Sequence, residues 1–172
     1  IKLSETGKIY KYNAATQRTL CINCNSNSKL SSLKITVLFK DHSNTIWLGS
    51  DSGLFSYDPD LDSIVGYPLE IGMINSIANG QKNEIWVGSS DGLVRVINGP
   101  YGDYKLYRKS NSKSSIVSNY IKDLAWDQSR NMLWIATDNG ISRYIPSEDK
   151  FFNIQTTPYA DSICLLYTSD AA

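Results

Sequence analysis

The sequence has no excess of either charge, since it carries 17 basic and 17 acidic residues among 172. A nucleic-acid-binding surface normally needs a basic excess or a basic stripe, so we expect no nucleic-acid partner. Long apolar runs are also missing, and none approaches the ~18 residues that a membrane-spanning helix needs. We therefore expect no membrane span within this chain.

Histidine and cysteine are scarce, with one and three copies. Cys21 and Cys24 form a C-x-x-C motif, but a zinc site needs a second pair of ligands. Residues three apart on a strand point to opposite faces, so we interpret both cysteines as ordinary strand residues. His42 lies in a polar stretch without an obvious catalytic partner, and we interpret it as a solvated turn residue. We expect no metal and no cofactor.

What the sequence does contain is a motif that occurs three times. It reads TIWLGSDSGLFSYD at Thr45–Asp58, EIWVGSSDGLVRVI at Glu84–Ile97 and LWIATDNGISRYI at Leu133–Ile145. The tryptophans of successive copies are 39 and 48 residues apart. A repeat of about 40–50 residues with short strands and tight turns is typical of β-propeller blades.

Each copy has the features of a buried strand, a hairpin turn and a second strand. The run IWLG shows no polar alternation, as expected of a strand covered on both faces. Asp-Gly and Asn-Gly pairs between such runs indicate tight hairpins. We predict that the small residue after each tryptophan lies under the indole of a neighbouring blade. The structural motif residues are Trp47, Gly49, Gly53, Trp86, Gly88, Gly92, Trp134, Ala136 and Gly140.

We therefore predict an all-β fold, a β-propeller fragment of four-stranded antiparallel blades with about three blades complete. The predicted segments are 1–30 (end of a preceding blade), 31–68, 69–114 and 115–157 (blades), and 158–163 (start of the next). The chain opens within an element at Ile1, so we expect a piece of a longer protein. Residues 164–172, CLLYTSDAA, resemble the in-frame translation of a sequencing-library adapter, and we interpret them as a non-native tail. The alternative is a genuine strand.

The recurring pattern I-x-x-Φ-x-x-D, Φ-W-Φ-G-[ST] and G-Φ-x-x-Y, with Φ apolar, resembles the two-component regulator propeller repeat. It appears as ITVLFKD, IWLGS and GLFSYD, then as INSIAN, IWVGS and GLVRVI, and then as IKDLAWD, LWIAT and GISRY. The resemblance covers residues 1–163. It departs from the family at Ala78-Asn79, in place of an acidic turn residue, at Ala136 and at Val96-Ile97.

Proteins with this repeat are often hybrid two-component sensor histidine kinases with extracytoplasmic propellers that detect carbohydrate fragments. The resemblance implies a non-catalytic, periplasmic, ligand-sensing segment of such a parent. It also implies a parent anchored in the inner membrane and homodimeric. The implied partners are an oligosaccharide ligand and the remaining blades of the same chain. The sequence assigns no ligand-binding residue.

Two other functions stay open from the residues alone. One is a propeller enzyme, a glycoside hydrolase or lyase with its active site outside this chain, and the other is a protein-interaction scaffold. Glycosidase chemistry needs two facing carboxylates, whereas the aspartates here recur once per blade, as turn residues do. They are Asp41 and Asp127 before turns, and Asp51, Asp91 and Asp138 at hairpins. Most aromatic residues are expected to pack between blades, with a few exposed ones free to stack on sugar rings.

Overall fold

Short antiparallel strands make up almost all of the regular structure. The computed structural model describes residues 1–22, 24, 32–58, 63–67, 69–112 and 114–154. The predicted segments 158–163 and 164–172 lie outside these residues. The strands are β1 Lys2–Leu3, β2 Ile9–Asn13, β3 Arg18–Cys21, β4 Ile35–Lys40, β5 Ile46–Ser50, β6 Gly53–Asp58, β7 Ser63–Gly66, β8 Ile74–Asn79, β9 Glu84–Ser89, β10 Gly92–Ile97, β11 Tyr104–Tyr107, β12 Ile121–Asp127, β13 Met132–Thr137, β14 Gly140–Ile145 and β15 Lys150–Ile154, with a short 3₁₀ helix at Gly99–Tyr101.

The strands form sheets in sequence order. Strands β4–β7 form the first blade, β8–β11 the second blade and β12–β15 the third blade, while β1–β3 form a three-stranded N-terminal sheet. Every pair of neighbouring strands is antiparallel, for example Trp86 opposite Arg95 in β9 and β10. The predicted all-β propeller fold with three four-stranded blades is confirmed. The division of the chain at 31–68, 69–114 and 115–157 stays a prediction.

The serine or threonine of the repeated motif closes the hairpin that follows it. The Ser50 hydroxyl donates to the Gly53 carbonyl at 2.9 Å and accepts from the Ser52 amide at 3.0 Å. Ser89 and Thr137 make the same pair of bonds in the other two blades. Gly53 has a φ of 133°, a conformation that favours glycine. The motif therefore encodes the turn as well as the strand.

The small residue after the tryptophan receives the next blade. A Cβ at Gly49 would lie 2.6 Å from Ile74 Cγ2, and one at Gly88 would lie 2.5 Å from Ile121 Cγ2. The prediction that an indole covers the small residue is therefore wrong. The covering residue is the isoleucine that begins the next inner strand, because that strand starts at the hairpin end of the preceding blade.

Hydrogen bonds also tie the inner strands β4, β8 and β12 to one another. Thr36 Oγ1 donates to the Ile74 carbonyl at 2.6 Å, and Asn75 Nδ2 donates to the Ile121 carbonyl at 2.7 Å. Both donors follow the first isoleucine of their own strand, so the contact repeats from blade to blade. These bonds bring the three inner strands side by side, as strands that surround the central channel of a propeller are.

The N-terminal sheet contains a feature that sequence reasoning misjudged. Cys21 and Cys24 form a disulfide, with their Cα atoms 5.5 Å apart. The interpretation of both as ordinary strand residues is wrong, because β3 ends at Cys21 and the chain bends at Ile22. The alternation of strand side chains does not extend to Cys24, which is free to turn back toward its partner.

We expect Gly88→Ala to destabilise the chain, because its new methyl would meet the side chain of Ile121 in the blade interface. Overpacking of this kind costs about 1–3 kcal/mol. Urea unfolding monitored by circular dichroism measures the change. The matched control is Ala136→Gly, which changes the equivalent position of the third blade in the opposite direction. An unchanged unfolding midpoint for Gly88→Ala would show that the interface has room at this point.

Candidate functional site

The tryptophans of the repeated motif are placed to hold blades together. Trp47 and Trp86 are completely buried. Trp47 packs in the cluster between the first and second blades, and Trp86 in the cluster between the second and third. Trp134 is half-buried on the outer side of the third blade. The first two indoles are therefore not available to a ligand.

Asp41 holds the turn between β4 and β5. Its Oδ1 accepts from the amides of Ser43 at 2.8 Å and Thr45 at 2.9 Å. Its Oδ2 accepts from Trp47 Nε1 at 2.7 Å, which ties the turn to the buried indole. Both oxygens are thus used in structure, as expected of a turn residue.

The other two blades have different residues at the position of Asp41. In the second blade this position is Gly80, one residue beyond the Ala78-Asn79 pair at which the resemblance to the repeat placed the turn residue. A Cβ there would lie 2.8 Å from Trp86 Nε1, so the indole occupies the space of a side chain. In the third blade it is Asp127, whose Oδ1 accepts from Ser129 Oγ at 2.6 Å and from the Arg130 amide at 3.0 Å.

The hydrogen bond from Ser129, together with the bonds from the Arg130 amide and guanidinium, lowers the pKa of Asp127 to about 2. The Asp127 carboxylate is therefore ionised throughout the physiological range. Its Oδ2 lies 3.1 Å from the Arg130 guanidinium. Asp91 is similarly paired, with Arg108 at 2.8 Å.

A buried ion pair lies between the second and third blades. Glu84 and Arg95, on neighbouring strands, are joined by a hydrogen bond, and the Arg95 guanidinium lies 5.7 Å from the centre of the Trp86 ring. Burial opposes the charged form of Arg95, but the bond to Glu84 outweighs it and raises the Arg95 pKa. Burial, followed by the hydrogen bond to Asp149, raises the pKa of Tyr144 in the same interface. The Glu84–Arg95 pair belongs to the second blade and the Tyr144–Asp149 bond to the third, and the two blades meet at the Trp86 and Tyr144 rings, whose centres are 5.0 Å apart.

The open polar surface of the three blades lies where their inner strands end. We define the inner-turn surface as the side chains at the ends of β4, β8 and β12 and in the turns that follow them: Phe39, His42, Asn79, Gln81, Trp126 and Gln128. Two clefts of about 710 and 310 Å³ run along it, and both are lined by His42, Trp126 and Gln128. Three blades thus contribute to one continuous surface.

The chemistry of the inner-turn surface is aromatic and amide-rich. Phe39 and Trp126 are half-buried, while His42 and Gln128 are exposed. Gln81 Nε2 donates to Asn131 Oδ1 at 3.2 Å, which links the turns of the second and third blades. Among the described residues, no carboxylate lines these two clefts, and Lys82 is the one lining side chain with a full charge. Such a surface can bind a ligand by stacking and hydrogen bonding.

Sequence reasoning found this surface only in part. The prediction that His42 is a solvated turn residue is confirmed by its exposure in the turn after β4. Trp126 was not singled out, although it is the one tryptophan outside the repeated motif. It occupies the inner-strand position that is Lys40 in the first blade and Asn79 in the second.

A further cleft of about 770 Å³ opens beside the first blade, lined in part by Lys11, Tyr12 and Tyr101. Its lining also includes Asp58 and Ser63, which flank residues 59–62, outside the described part of the chain.

The described ranges lack features of membrane spans and of metal centres. They hold no helix long and apolar enough to cross a membrane. They hold no group of three His, Cys, Asp or Glu side chains that could bind a metal ion.

Radially arranged four-stranded sheets around inner strands define the class, a β-propeller. The chain is similar to the extracellular domain of BT3049 from B. thetaiotaomicron, a protein assigned to the hybrid two-component systems. The two are 25% identical with a TM-score of 0.65, over 76% of this chain and 18% of that domain. The predicted resemblance to the sensor-region propeller of such systems is thereby confirmed.

Two lyases share the fold. Virginiamycin B lyase from Staphylococcus aureus is 15% identical with a TM-score of 0.67, over 92% of this chain and 55% of the lyase. A streptogramin B lyase is 18% identical with a TM-score of 0.65, over 91% of this chain and 50% of the lyase. Identities this low show the fold alone. No family model matches the sequence, and no curated protein matches it significantly.

The chain covers a minor share of the sensor domain and about half of each lyase. The comparison therefore assigns none of the activities, ligands or partners of those whole proteins to this chain.

We expect Asp41→Ala to destabilise the first blade by about 2 kcal/mol, since hydrogen bonds to a charged group contribute about 1.5–3 kcal/mol. The loss arises because two turn amides and the Trp47 indole lose their acceptor. Thermal unfolding measures it. Asp51→Ala, at an exposed hairpin position of the same blade, is the matched control. Equal effects of the two changes would contradict a special role for Asp41.

We expect the Asp127 carboxyl to titrate near pH 2 in a carbon-detected NMR titration. Because its folded pKa lies below the ordinary value of 3.8, its contribution to stability is complete above about pH 4 and lost as the pH falls through about 2. Ser129→Ala removes the hydrogen bond that lowers the Asp127 pKa most, so the midpoint of the Asp127 titration should move to higher pH. A wild-type midpoint near 3.8 would contradict the turn geometry.

Proposed function

We propose that this chain is a non-catalytic, ligand-sensing segment of a β-propeller in the extracytoplasmic region of a hybrid two-component sensor histidine kinase. The observation that carries the proposal is its likeness in both sequence and structure to the extracellular domain of BT3049. The repeated motif supports it, because it recurs in register in all three blades. The residues described here would form the sensing side of the parent, and its output domain would lie elsewhere.

The ligand we propose is a carbohydrate fragment, and the compartment is the periplasm. Both follow from the family resemblance of the repeat, as do an inner-membrane anchor and a homodimeric parent. The inner-turn surface supports a binding role, because it combines aromatic rings with amide groups in open clefts. The Cys21–Cys24 disulfide supports an oxidising compartment, since disulfides are rare in the cytosol.

The outer face of the third blade supports a place within a larger ring. Ile141, Phe152 and Ile154 are exposed there, and Trp134 and Ala136 are only half-buried. The equivalent residues of the second blade, Trp86 and Leu93 among them, are completely buried against the third blade. We propose that the remaining blades of the same chain cover this face, since closed propellers typically have about four to eight blades.

The test is to recover the gene across both ends of this sequence. We expect a membrane helix and a histidine-kinase domain downstream of a complete propeller. A reading frame that closes the ring and then stops would contradict the sensor proposal and favour a secreted hydrolase or lyase. A complete propeller joined to protein-binding modules would favour an interaction scaffold.

A binding experiment on the recovered extracytoplasmic domain tests the ligand class. We expect its melting temperature to rise with one family of oligosaccharides at millimolar concentration, because a ligand that binds only the folded state stabilises it. The same sugars should be recovered intact afterwards, as judged by chromatography. Cleavage of the sugar would contradict a non-catalytic role, and no shift with any saccharide would contradict the carbohydrate ligand.

A further inference from the structure

We propose that the inner-turn surface binds an uncharged, polyhydroxylated ligand, the end of a neutral oligosaccharide, with Trp126 as its stacking platform. This inference rests on the proposed function and narrows its ligand class. It also assigns the ligand to one end of the blades.

The first step is the shape of the surface. Its two clefts share His42, Trp126 and Gln128, so a ligand that extends along both contacts the turns of the first and third blades. The second blade adds Asn79 and Gln81 between them. Each cleft, of about 710 and 310 Å³, has a volume within the range usual for ligand pockets, about 300–1,000 Å³.

The second step is the aromatic platform. Trp126 is half-buried, packed against the cluster between the second and third blades, and it lines both clefts. Trp47 and Trp86, by contrast, have no exposed surface. An indole that is held by core packing and also lines an open cleft is suited to the apolar face of a sugar ring.

The third step is the hydrogen-bonding capacity of the rim. The amides of Gln81, Gln128 and Asn131 each offer both donors and acceptors, which matches a hydroxyl group that also does both. Gln81 and Asn131 hold each other at 3.2 Å, so the second and third turns are positioned before a ligand arrives.

The fourth step is charge. Among the described residues that line the two clefts, Lys82 alone carries a full charge, and it is exposed at the rim. The nearest aspartates, Asp41 and Asp127, are occupied by turn amides and by the Trp47 and Arg130 side chains. Binding an acidic sugar needs cationic side chains paired with its carboxylates. A single exposed lysine supplies only one such positive charge. An uncharged ligand suits the surface better.

The experiment is isothermal titration calorimetry on the full chain with hexasaccharide probes of matched length. The neutral probes are cellohexaose, xylohexaose, mannohexaose and maltohexaose, and the acidic probe is hexagalacturonate. We expect one neutral probe to bind and hexagalacturonate not to bind. Trp126→Leu, which keeps an apolar side chain but removes the ring, should weaken binding about tenfold. Gln128→Ala should weaken it several-fold.

The matched control is Tyr101→Ser, which removes an exposed aromatic ring that is outside the inner-turn surface. It should leave affinity unchanged. Circular dichroism establishes that each variant is folded. Gln128 is exposed, so Gln128→Ala gives a clear answer even if Trp126→Leu does not fold.

Three results would overturn the inference. Preferred binding of hexagalacturonate, lost in Lys82→Met, would contradict the uncharged ligand class but leave the sensor proposal intact. Neutral binding that is indifferent to Trp126→Leu and Gln128→Ala would contradict the site. Absence of binding to every probe, in a chain whose gene continues into a histidine kinase, would contradict the inference while the sensor proposal stands.

Discussion

The structure depends on one packing contact that repeats from blade to blade. The isoleucines that begin β8 and β12 lie against the small residue of the preceding blade's motif, Ile74 on Gly49 and Ile121 on Gly88. A Cβ at Gly88 would lie 2.5 Å from Ile121 Cγ2, so any larger residue at this position would force the isoleucine to shift. The contact fixes the distance and register between blades, and the hydrogen bonds of Thr36 and Asn75 hold the same register on the channel side.

This packing determines where a site can be built. The isoleucine contacts lie next to the hairpins that follow β5 and β9, so side-chain packing occupies the space between blades at that end. The opposite ends of the inner strands carry the turns, whose shape is fixed locally by groups such as Asp41 and Asp127. The side chains that follow those turn residues, such as His42 and Gln128, form the inner-turn surface together with Trp126 at the end of its inner strand.

Much of the fold was predictable from sequence, because each blade repeats the same strand and hairpin motif. The segment Φ-W-Φ-G-[ST] contains the buried strand and the hydroxyl residue that closes the hairpin after it. The partner of Gly49 was not predictable, since the isoleucine that covers it is 25 residues further along the chain. The disulfide was missed for a related reason, because the alternation argument assumed that β3 continues past Cys21.

The candidate site was less accessible to sequence reasoning. Its residues come from three blades, and no single copy of the repeat contains more than a few of them. Trp126 lies in an inner strand, whereas the motif tryptophans lie in the second strand of each blade. Its place beside the turns of the other blades is evident only once β12 is known to lie beside β8. His42 was predicted correctly as a turn residue. That it lines the same cleft as Trp126 and Gln128 can be seen only in the tertiary structure.

The most direct test of the account is hydrogen exchange of the full chain with and without a bound saccharide, followed by mass spectrometry. The account predicts that protection on binding is concentrated in the turns at 41–45, 80–83 and 128–131. Protection concentrated in the hairpins at the opposite ends of the blades, or around Tyr101, would contradict the assignment of ligand binding to the inner-turn surface.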